Sequence, residues 1–184
     1  CWSAMRLLVG ALPCAAYAIL ADMLGESAEA EKYHVLAKEM AADWEVRAKA
    51  DDHYSLVFGK PDTWSMKYNL VWDKMWDSKL FSEEVYEKEL AYYVKKISKY
   101  GTPLDNRATY TKSDWILWCA SMAETKEQAE QLICPVADYL ENTSDRIPFG
   151  DWYDVESGLH YHFIARSVQG GIFMPMLYDS LKTK

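Results

Sequence analysis

Residues 27–50 read SAEAEKYHVLAKEMAADWEVRAKA, and their apolar side chains recur at the spacing of an α-helix. Ser27 is the expected N-cap, because its hydroxyl can accept a backbone N–H from the first turn. Acids follow in that first turn, where the positive end of the helix dipole favours them. The stretch therefore predicts an amphipathic helix whose apolar face carries Tyr33, Leu36, Ala37, Met40 and Trp44.

Two later segments repeat this pattern. Residues 82–101 carry an apolar stripe, with Ser82 as the expected N-cap and Gly101 as the expected stop. Residues 126–143 predict another helix, and Pro135 in its interior predicts a kink or a break because proline removes a helical hydrogen bond.

Two further helices are predicted in the second half of the chain. A short apolar helix covers 113–125 and begins at its first serine. The last helix covers 168–182, weakened by Gly170 and Gly171 and bent at Pro175.

The first 25 residues are apolar enough to be compared with a signal peptide or a membrane span. Arg6, Pro13 and Asp22 interrupt the uncharged run of about twenty residues that a bilayer requires. Small residues dominate the second half of the stretch and allow close packing against other helices. We therefore predict a buried core helix and no membrane span.

Apolar and polar residues do not alternate over any long stretch, as they would in β-strands, and only 159–165 shows a short alternating pattern. The predicted fold class is therefore all-α. No Gly/Ser-rich linker divides the 184 residues, which predicts a single helical domain over 1–184. The predicted helices come in pairs joined by polar, aromatic loops, as in stacked α-hairpins. A toroid of such hairpins would gather its loops at one end.

The charge pattern and the cysteines exclude several classes of function. The formal net charge is −8, from 28 acidic and 20 basic residues without a basic stripe, which argues against a nucleic-acid partner. Cys1, Cys14, Cys119 and Cys134 show neither zinc-ligand nor redox spacing, so no metal and no cofactor are predicted. Cys14 and Cys119 are expected to be small buried hydrophobes, with a disulfide left open. Cys1 is either an amino-terminal nucleophile or a fragment boundary.

Four motifs resemble, in order and spacing, the carboxy-terminal region of the glutaminase A family. They are SMKYNLVWDK (65–74), YGTPLDNRATYTKSDWILW (100–118), DWYD (151–154) and ARSVQGGIFMPML (165–177). The resemblance covers nearly the whole chain. Its second motif is specific, because it is a long polar and charged string and not a repeat of apolar positions.

The resemblance implies a secreted or periplasmic enzyme that hydrolyses the side-chain amide of L-glutamine to L-glutamate and ammonia. It implies an α/α toroid, like that of the six-hairpin glycosidases. The family's enzymes are several times longer, so the chain is expected to be a carboxy-terminal fragment holding part of the ring, with the rest of the parent chain as its partner. His160 and His162 depart from the family pattern as local variation; two alternating histidines without further ligands do not predict a metal site.

Deamidation requires a base, an oxyanion donor and an acid for the leaving ammonia. The candidate catalytic residues are Asp105, Lys112, Asp114 and Asp151. Asp114, near the start of a helix, is expected to favour its ionised form and to act as base or ammonium anchor, with plain helix capping as the alternative.

Substrate-binding candidates come from the same loops. Arg107 and Arg166 match the fork geometry of a carboxylate clamp; the alternative is an internal ion pair with Asp105 or Asp151. The other candidates are donors and acceptors for the rest of the amino acid, with loop-fixing contacts or helix ends as the alternative: Tyr110, Lys67, Asn69 and Asp73.

Two alternatives concern the acids. Asp151 and Asp154 can divide acid and base roles or bind a structural calcium, and a turn is favoured for Asp154. Acids and aromatics in loops also suit a carbohydrate-acting or carbohydrate-binding toroid. The abundance of cations beside the acids favours a zwitterionic substrate over a neutral sugar.

Overall fold

The computed structural model describes residues 3–182. It contains the helices α1 (Ser3–Met23), α2 (Ser27–Ala48), α3 (Val71–Trp76), α4 (Glu83–Lys95), α5 (Ser113–Ser121), α6 (Lys126–Asn142) and α7 (Met174–Lys182). Two 3₁₀ helices, Tyr68–Leu70 and Ser167–Phe173, and two short strands, β1 (Tyr110–Lys112) and β2 (Trp152–Asp154), complete the described elements. The all-α prediction is confirmed, because the strands form only one two-stranded sheet within this range. Cys1 lies outside the described residues, so both interpretations of it stay predictions.

The chain forms two compact units, and each is described by itself. The first comprises residues 1–64 and 72–85, and the second comprises 65–71 and 86–184. The prediction of a single domain over 1–184 stays a prediction.

In the first unit, α1 packs along α2 through small side chains. Ala11, Ala15 and Ala37 are almost completely buried, and small side chains let two helix backbones approach closely. Within the described residues, one helix, at Ala4–Met23, is long and apolar enough to cross a membrane, a property that signal sequences and core helices share. The absence of a membrane span stays a prediction.

The far end of α2 is fixed by aromatic contacts and one carboxylate. Trp44 is fully buried, stacks on Tyr54 with ring centroids 5.0 Å apart and meets the edge of Phe81 at 5.6 Å. Asp73 accepts hydrogen bonds from the backbone N–H groups of Leu80 at 3.0 Å and Phe81 at 3.4 Å.

The second unit is built around stacked tyrosines. Tyr139 from α6 lies parallel to Tyr153 from β2 with centroids 3.7 Å apart, and Tyr100 meets Tyr139 edge-on. The Tyr153 hydroxyl donates to the Tyr100 carbonyl at 2.8 Å, which satisfies its polar end inside the core.

Several helix boundaries differ from the sequence predictions. Ser27 is the first helical residue of α2 and not its cap; that position belongs to Glu26, which makes no side-chain cap hydrogen bond. The helix predicted over 82–101 ends at Lys95, because the chain turns there. The Thr102 hydroxyl donates a hydrogen bond to the Tyr93 carbonyl at 3.0 Å. Gly101 follows with φ of 128°, a conformation that glycine adopts most easily.

The two prolines act differently from each other. α6 continues from Lys126 to Asn142 with Pro135 inside it, so the helix does not break there, and the kink stays a prediction. The last predicted helix is divided instead: the diglycine segment is a 3₁₀ helix, and α7 starts just before Pro175, where proline suits a first turn.

Candidate functional site

A short antiparallel sheet brings together two segments that are far apart in the sequence. Its register pairs Tyr110 with Asp154 and Lys112 with Trp152. The backbone N–H of Ser113 then donates to the Asp151 carbonyl at 2.9 Å. Because β1 runs directly into α5, the same pairing places the first turn of that helix beside Asp151. The sequence predicted strand alternation only at 159–165; the sheet lies elsewhere, and that segment contributes a single bridge, Tyr153 with His160.

Asp151 is the centre of a charged cluster. Its carboxylate is fully buried, and Oδ2 accepts hydrogen bonds from Lys112 Nζ at 2.6 Å and from Arg166 at 3.3 Å. Its Oδ1 has no hydrogen-bond donor in the part of the chain that the structure describes. One buried acid thus holds two cations, and its second oxygen is buried without a donor in this range.

Asp114 is the second buried acid of this cluster. It lies in the first turn of α5, its side chain is almost completely buried, and its Oδ1 also has no donor among residues 3–182. Burial raises the pKa of Asp114 to about 6, and the charge of Asp151 adds to the rise, whereas Lys112 opposes it. Asp114 therefore gives up its proton less readily than an ordinary aspartic acid, because loss of hydration outweighs the favourable helix start. At a pKa of about 6 the carboxyl is still mostly ionised at neutral pH, and its role as base stays a prediction.

Aromatic rings surround the two cations. Lys112 Nζ lies 5.1 Å from the ring centroid of Trp115 and 5.2 Å from that of Trp152, and Arg166 lies over Phe163 at 4.7 Å. Tyr110 meets Trp152 edge-on at 5.3 Å. These contacts hold both cations by cation–π attraction as well as by charge. We call Lys112, Asp114, Asp151 and Arg166 the acid–base cluster.

The two cations are the solvent-exposed members of the acid–base cluster. The Arg166 side chain is 36% exposed and that of Lys112 is 12% exposed, whereas the Asp151 side chain is only 1% exposed. A cavity of about 140 Å³ borders Gly150, the residue before Asp151, but no member of the acid–base cluster lines it. A ligand that approaches the cluster from solvent therefore meets the guanidinium first.

Three of the other candidate residues, Asp105, Arg107 and Asp73, have partners of their own. Arg107 forms a two-pronged ion pair with buried Asp105, donating from Nε at 2.8 Å and from a second nitrogen, which is the internal ion pair that the sequence left open. Asp73 belongs to the first unit and holds the backbone of residues 80 and 81.

Lys67 lies in the core of the second unit and not at its surface. Its Nζ contacts Glu89 at 3.1 Å and donates to the Ser65 carbonyl at 3.0 Å, while the Tyr93 hydroxyl donates to Glu89 at 2.5 Å. Burial lowers the pKa of Lys67, and Glu89 opposes this. Asn69 follows in the first 3₁₀ helix, beside Tyr68, whose ring stacks on Trp115 at 4.0 Å.

Asp154 stabilises a turn, as the sequence favoured. Its Oδ1 accepts from the backbone N–H of Ser157 at 2.8 Å and from that of Glu156 at 3.1 Å, and its Oδ2 accepts from the Thr109 hydroxyl. His160 Nδ1 contacts Asp145 at 2.8 Å. Residues 3–182 contain no group of three or more His, Cys, Asp or Glu side chains that could hold a metal ion. Cys119 is buried as expected, Cys14 is half-buried, and both are free thiols.

The second 3₁₀ helix is a part of the site that sequence reasoning missed. It packs on α5, and Gly171 lies so close to Asp114 that a Cβ there would be 2.8 Å from the Asp114 Cβ. The signal is present in the sequence as two adjacent glycines within the motif 165–177, but no role in the site was predicted for them.

Comparison with known proteins identifies the family. The family model described as the glutaminase A six helical-hairpin domain matches residues 7–176. The chain belongs to the glutaminase A family. The six-hairpin fold class expected from the resemblance is thereby confirmed.

Two curated relatives support this membership. The chain is 31% identical over 173 residues to a protein named glutaminase A from Aspergillus oryzae, an alignment that covers 90% of the chain and 25% of the relative. It is 37% identical over 92 residues to a probable glutaminase from Arthroderma benhamiae, covering 48% of the chain and 11% of that relative. This member of the glutaminase A family thus spans about a quarter or less of the length of these relatives. No solved structure matches it significantly.

Proposed function

We propose that the chain supplies the acid–base cluster of an enzyme that hydrolyses the side-chain amide of L-glutamine to L-glutamate and ammonia. Membership in the glutaminase A family supports a glutaminase-like function. The observation that carries the residue assignment is the buried Asp114 carboxyl, whose pKa is raised to about 6 although Lys112 lies close enough to oppose the rise. A group that titrates near neutral pH can both accept and return a proton during one turnover.

Asp114 is the proposed general base. Its Oδ1, which has no donor within the described residues, would accept a proton from the attacking water. The same carboxyl, once protonated, would give that proton to the departing nitrogen, so that water adds to the amide carbon and ammonia leaves. Lys112 is the proposed donor to the oxygen on which negative charge develops, because its ammonium lies in the same cluster.

Both ends of a free amino acid find complementary charge in the cluster. Arg166 contacts Asp151 through one nitrogen at 3.3 Å and is the most exposed member, which suits it to bind the α-carboxylate. The Asp151 Oδ1, without a donor in residues 3–182, suits the α-ammonium. A substrate with both charges is therefore favoured over a neutral sugar.

The proposal is tested by measuring ammonia release from L-glutamine and L-asparagine. Release of reducing sugar from a panel of small glycosides is measured beside it. The assay uses the 184-residue chain and the longest natural protein in which it occurs. Asp114→Asn keeps the shape of the side chain and removes the base, and we expect ammonia release to fall by about 10²–10⁴-fold. Asp138→Asn is the matched control, since Asp138 is an exposed acid in the same unit.

The outcomes separate the activity from the residue assignment. If L-glutamine is hydrolysed and only Asp114→Asn loses activity while remaining folded, the proposal is supported. Full activity of Asp114→Asn would remove Asp114 from the reaction. If no form releases ammonia from either amide, the glutaminase proposal fails. Release of sugar from a glycoside would then support the carbohydrate-acting alternative.

A further inference from the structure

Gly170 and Gly171 are adjacent in the second 3₁₀ helix, but they have different surroundings. A Cβ added to Gly171 would meet the Asp114 Cβ at 2.8 Å and the Trp118 Nε1 at 3.0 Å. A Cβ added to Gly170 would meet nothing within 4 Å. Neither residue has a positive φ, so both backbones accept an L side chain and only the space around them differs.

The atoms that crowd Gly171 cannot move away easily. The Asp114 Cβ is attached directly to the backbone of α5, and Trp118 Nε1 belongs to a rigid ring. Real Cβ atoms essentially never approach another heavy atom closer than 3.0 Å. A side chain at position 171 would therefore push the 3₁₀ helix away from α5.

We propose that Gly171 is a positioning residue: its missing side chain allows the second 3₁₀ helix to lie directly on Asp114 and to keep bulk solvent from its carboxyl. Ser113 Oγ and Gln169 Oε1, 3.5 Å apart, lie beside this contact. The segment Ser167–Phe173 carries no titratable side chain, so it acts on Asp114 by excluding water and not by charge.

The charged groups around Asp114 are independent of the 3₁₀ helix. Asp151 and Lys112 act on Asp114 through their charges, and Tyr68 of the first 3₁₀ helix interacts with it electrostatically. The charged side chains of α6 and α7, which also pack on α5, are exposed: Lys126, Glu127, Glu130, Asp138, Glu141, Asp179 and Lys182. Loss of hydration is the largest cause of the raised pKa of Asp114, and the 3₁₀ helix lies where it can produce that loss.

The test is a direct titration of Asp114 by ¹³C NMR of its carboxyl carbon, assigned with Asp114→Asn. It compares the wild-type chain with Gly170→Ala, Gly170→Val, Gly171→Ala and Gly171→Val. We expect the wild type and both Gly170 variants to titrate near pH 6. The Gly171 variants should titrate progressively lower, toward the ordinary value of 3.8, as the larger side chain admits water.

Two results would overturn the inference. One is an unchanged or raised pKa of Asp114 in both Gly171 variants; the other is an equal fall in the Gly170 variants. Backbone amide spectra of each variant show whether α5 is still folded, and a Gly171→Val chain that unfolds leaves Gly171→Ala to decide. The inference rests on the proposed function only for its effect on rate, because the titration gives a result even if no amide is hydrolysed.

Discussion

Asp114→Asn should change the pH dependence of stability in a direction opposite to that of most carboxylate replacements. Folding raises the pKa of Asp114 from 3.8 to about 6. Below about pH 4 the carboxyl is largely protonated in the folded chain, and its burial costs least. Between about pH 4 and pH 6 the unfolded chain ionises this carboxyl while the folded chain keeps it protonated, so the wild type loses stability that asparagine does not lose. Above about pH 6 both states are ionised and the loss is complete.

The size of the effect follows from the same values. A change from 3.8 to about 6 corresponds to at most about 3 kcal/mol between the two protonation states. Solvent near the buried carboxyl screens part of this, which leaves roughly 1–2 kcal/mol between pH 4 and pH 8.

Urea unfolding of the wild type, Asp114→Asn and Asp138→Asn at both pH values measures this difference. Taking the change between two pH values cancels any packing effect of the substitution that does not depend on pH. We expect Asp114→Asn to gain roughly 1–2 kcal/mol on the wild type between pH 4 and pH 8, and Asp138→Asn to show no such gain. Equal behaviour of the two variants would refute the reasoning that burial controls Asp114.

Three further predictions concern other parts of the second unit. Asp151→Asn removes a charge that raises the pKa of Asp114, so the acid limb of the pH–rate profile for ammonia release should move to lower pH; a move to higher pH contradicts this. Glu89→Gln leaves Lys67 buried without its carboxylate and should lower the free energy of unfolding in urea by about 3–5 kcal/mol. The double variant Glu89→Leu with Lys67→Met should lose much less. An equal loss of stability in both chains argues against a buried charge pair. Gly101→Ala introduces a side chain at a φ of 128° and 3.0 Å from Ile116. It should lower the stability measured by thermal unfolding by more than about 1 kcal/mol. An unchanged melting temperature would show that the turn adapts.

Helix existence was readable from the sequence because it depends on periodicity within each segment. α2 and α6 have clear apolar faces, and both are present. Their exact ends were less predictable, since an end is decided by tertiary contacts. α4 stops at Lys95 because Thr102 takes up a carbonyl, a contact that no local pattern specifies.

The short sheet could not be predicted from alternation. β1 and β2 have three residues each, fewer than a periodic pattern needs, and their pairing is recognised only when both segments are seen together. Motif reasoning nevertheless selected Lys112, Asp114 and Asp151, because polar residues crowded into loops between helices tend to serve a site.

Two differences between the sequence expectations and the structure share one physical cause. Lys67 was expected near a ligand, but a glutamate 22 positions later allows its charge to be buried. The helix start favours a low pKa for Asp114, but desolvation by neighbouring segments raises it to about 6. In both cases burial decided the outcome, and burial depends on segments distant in the chain.

The contact between Lys112 and Asp151 joins residues 39 positions apart. Closing a loop of that length costs conformational entropy before the contacts that stabilise it can form, although this cost grows only slowly with loop length. The acid–base cluster should therefore be assembled during folding only after α5 and α6 are in place, so that a newly made chain carries its helices before it carries its proposed chemistry.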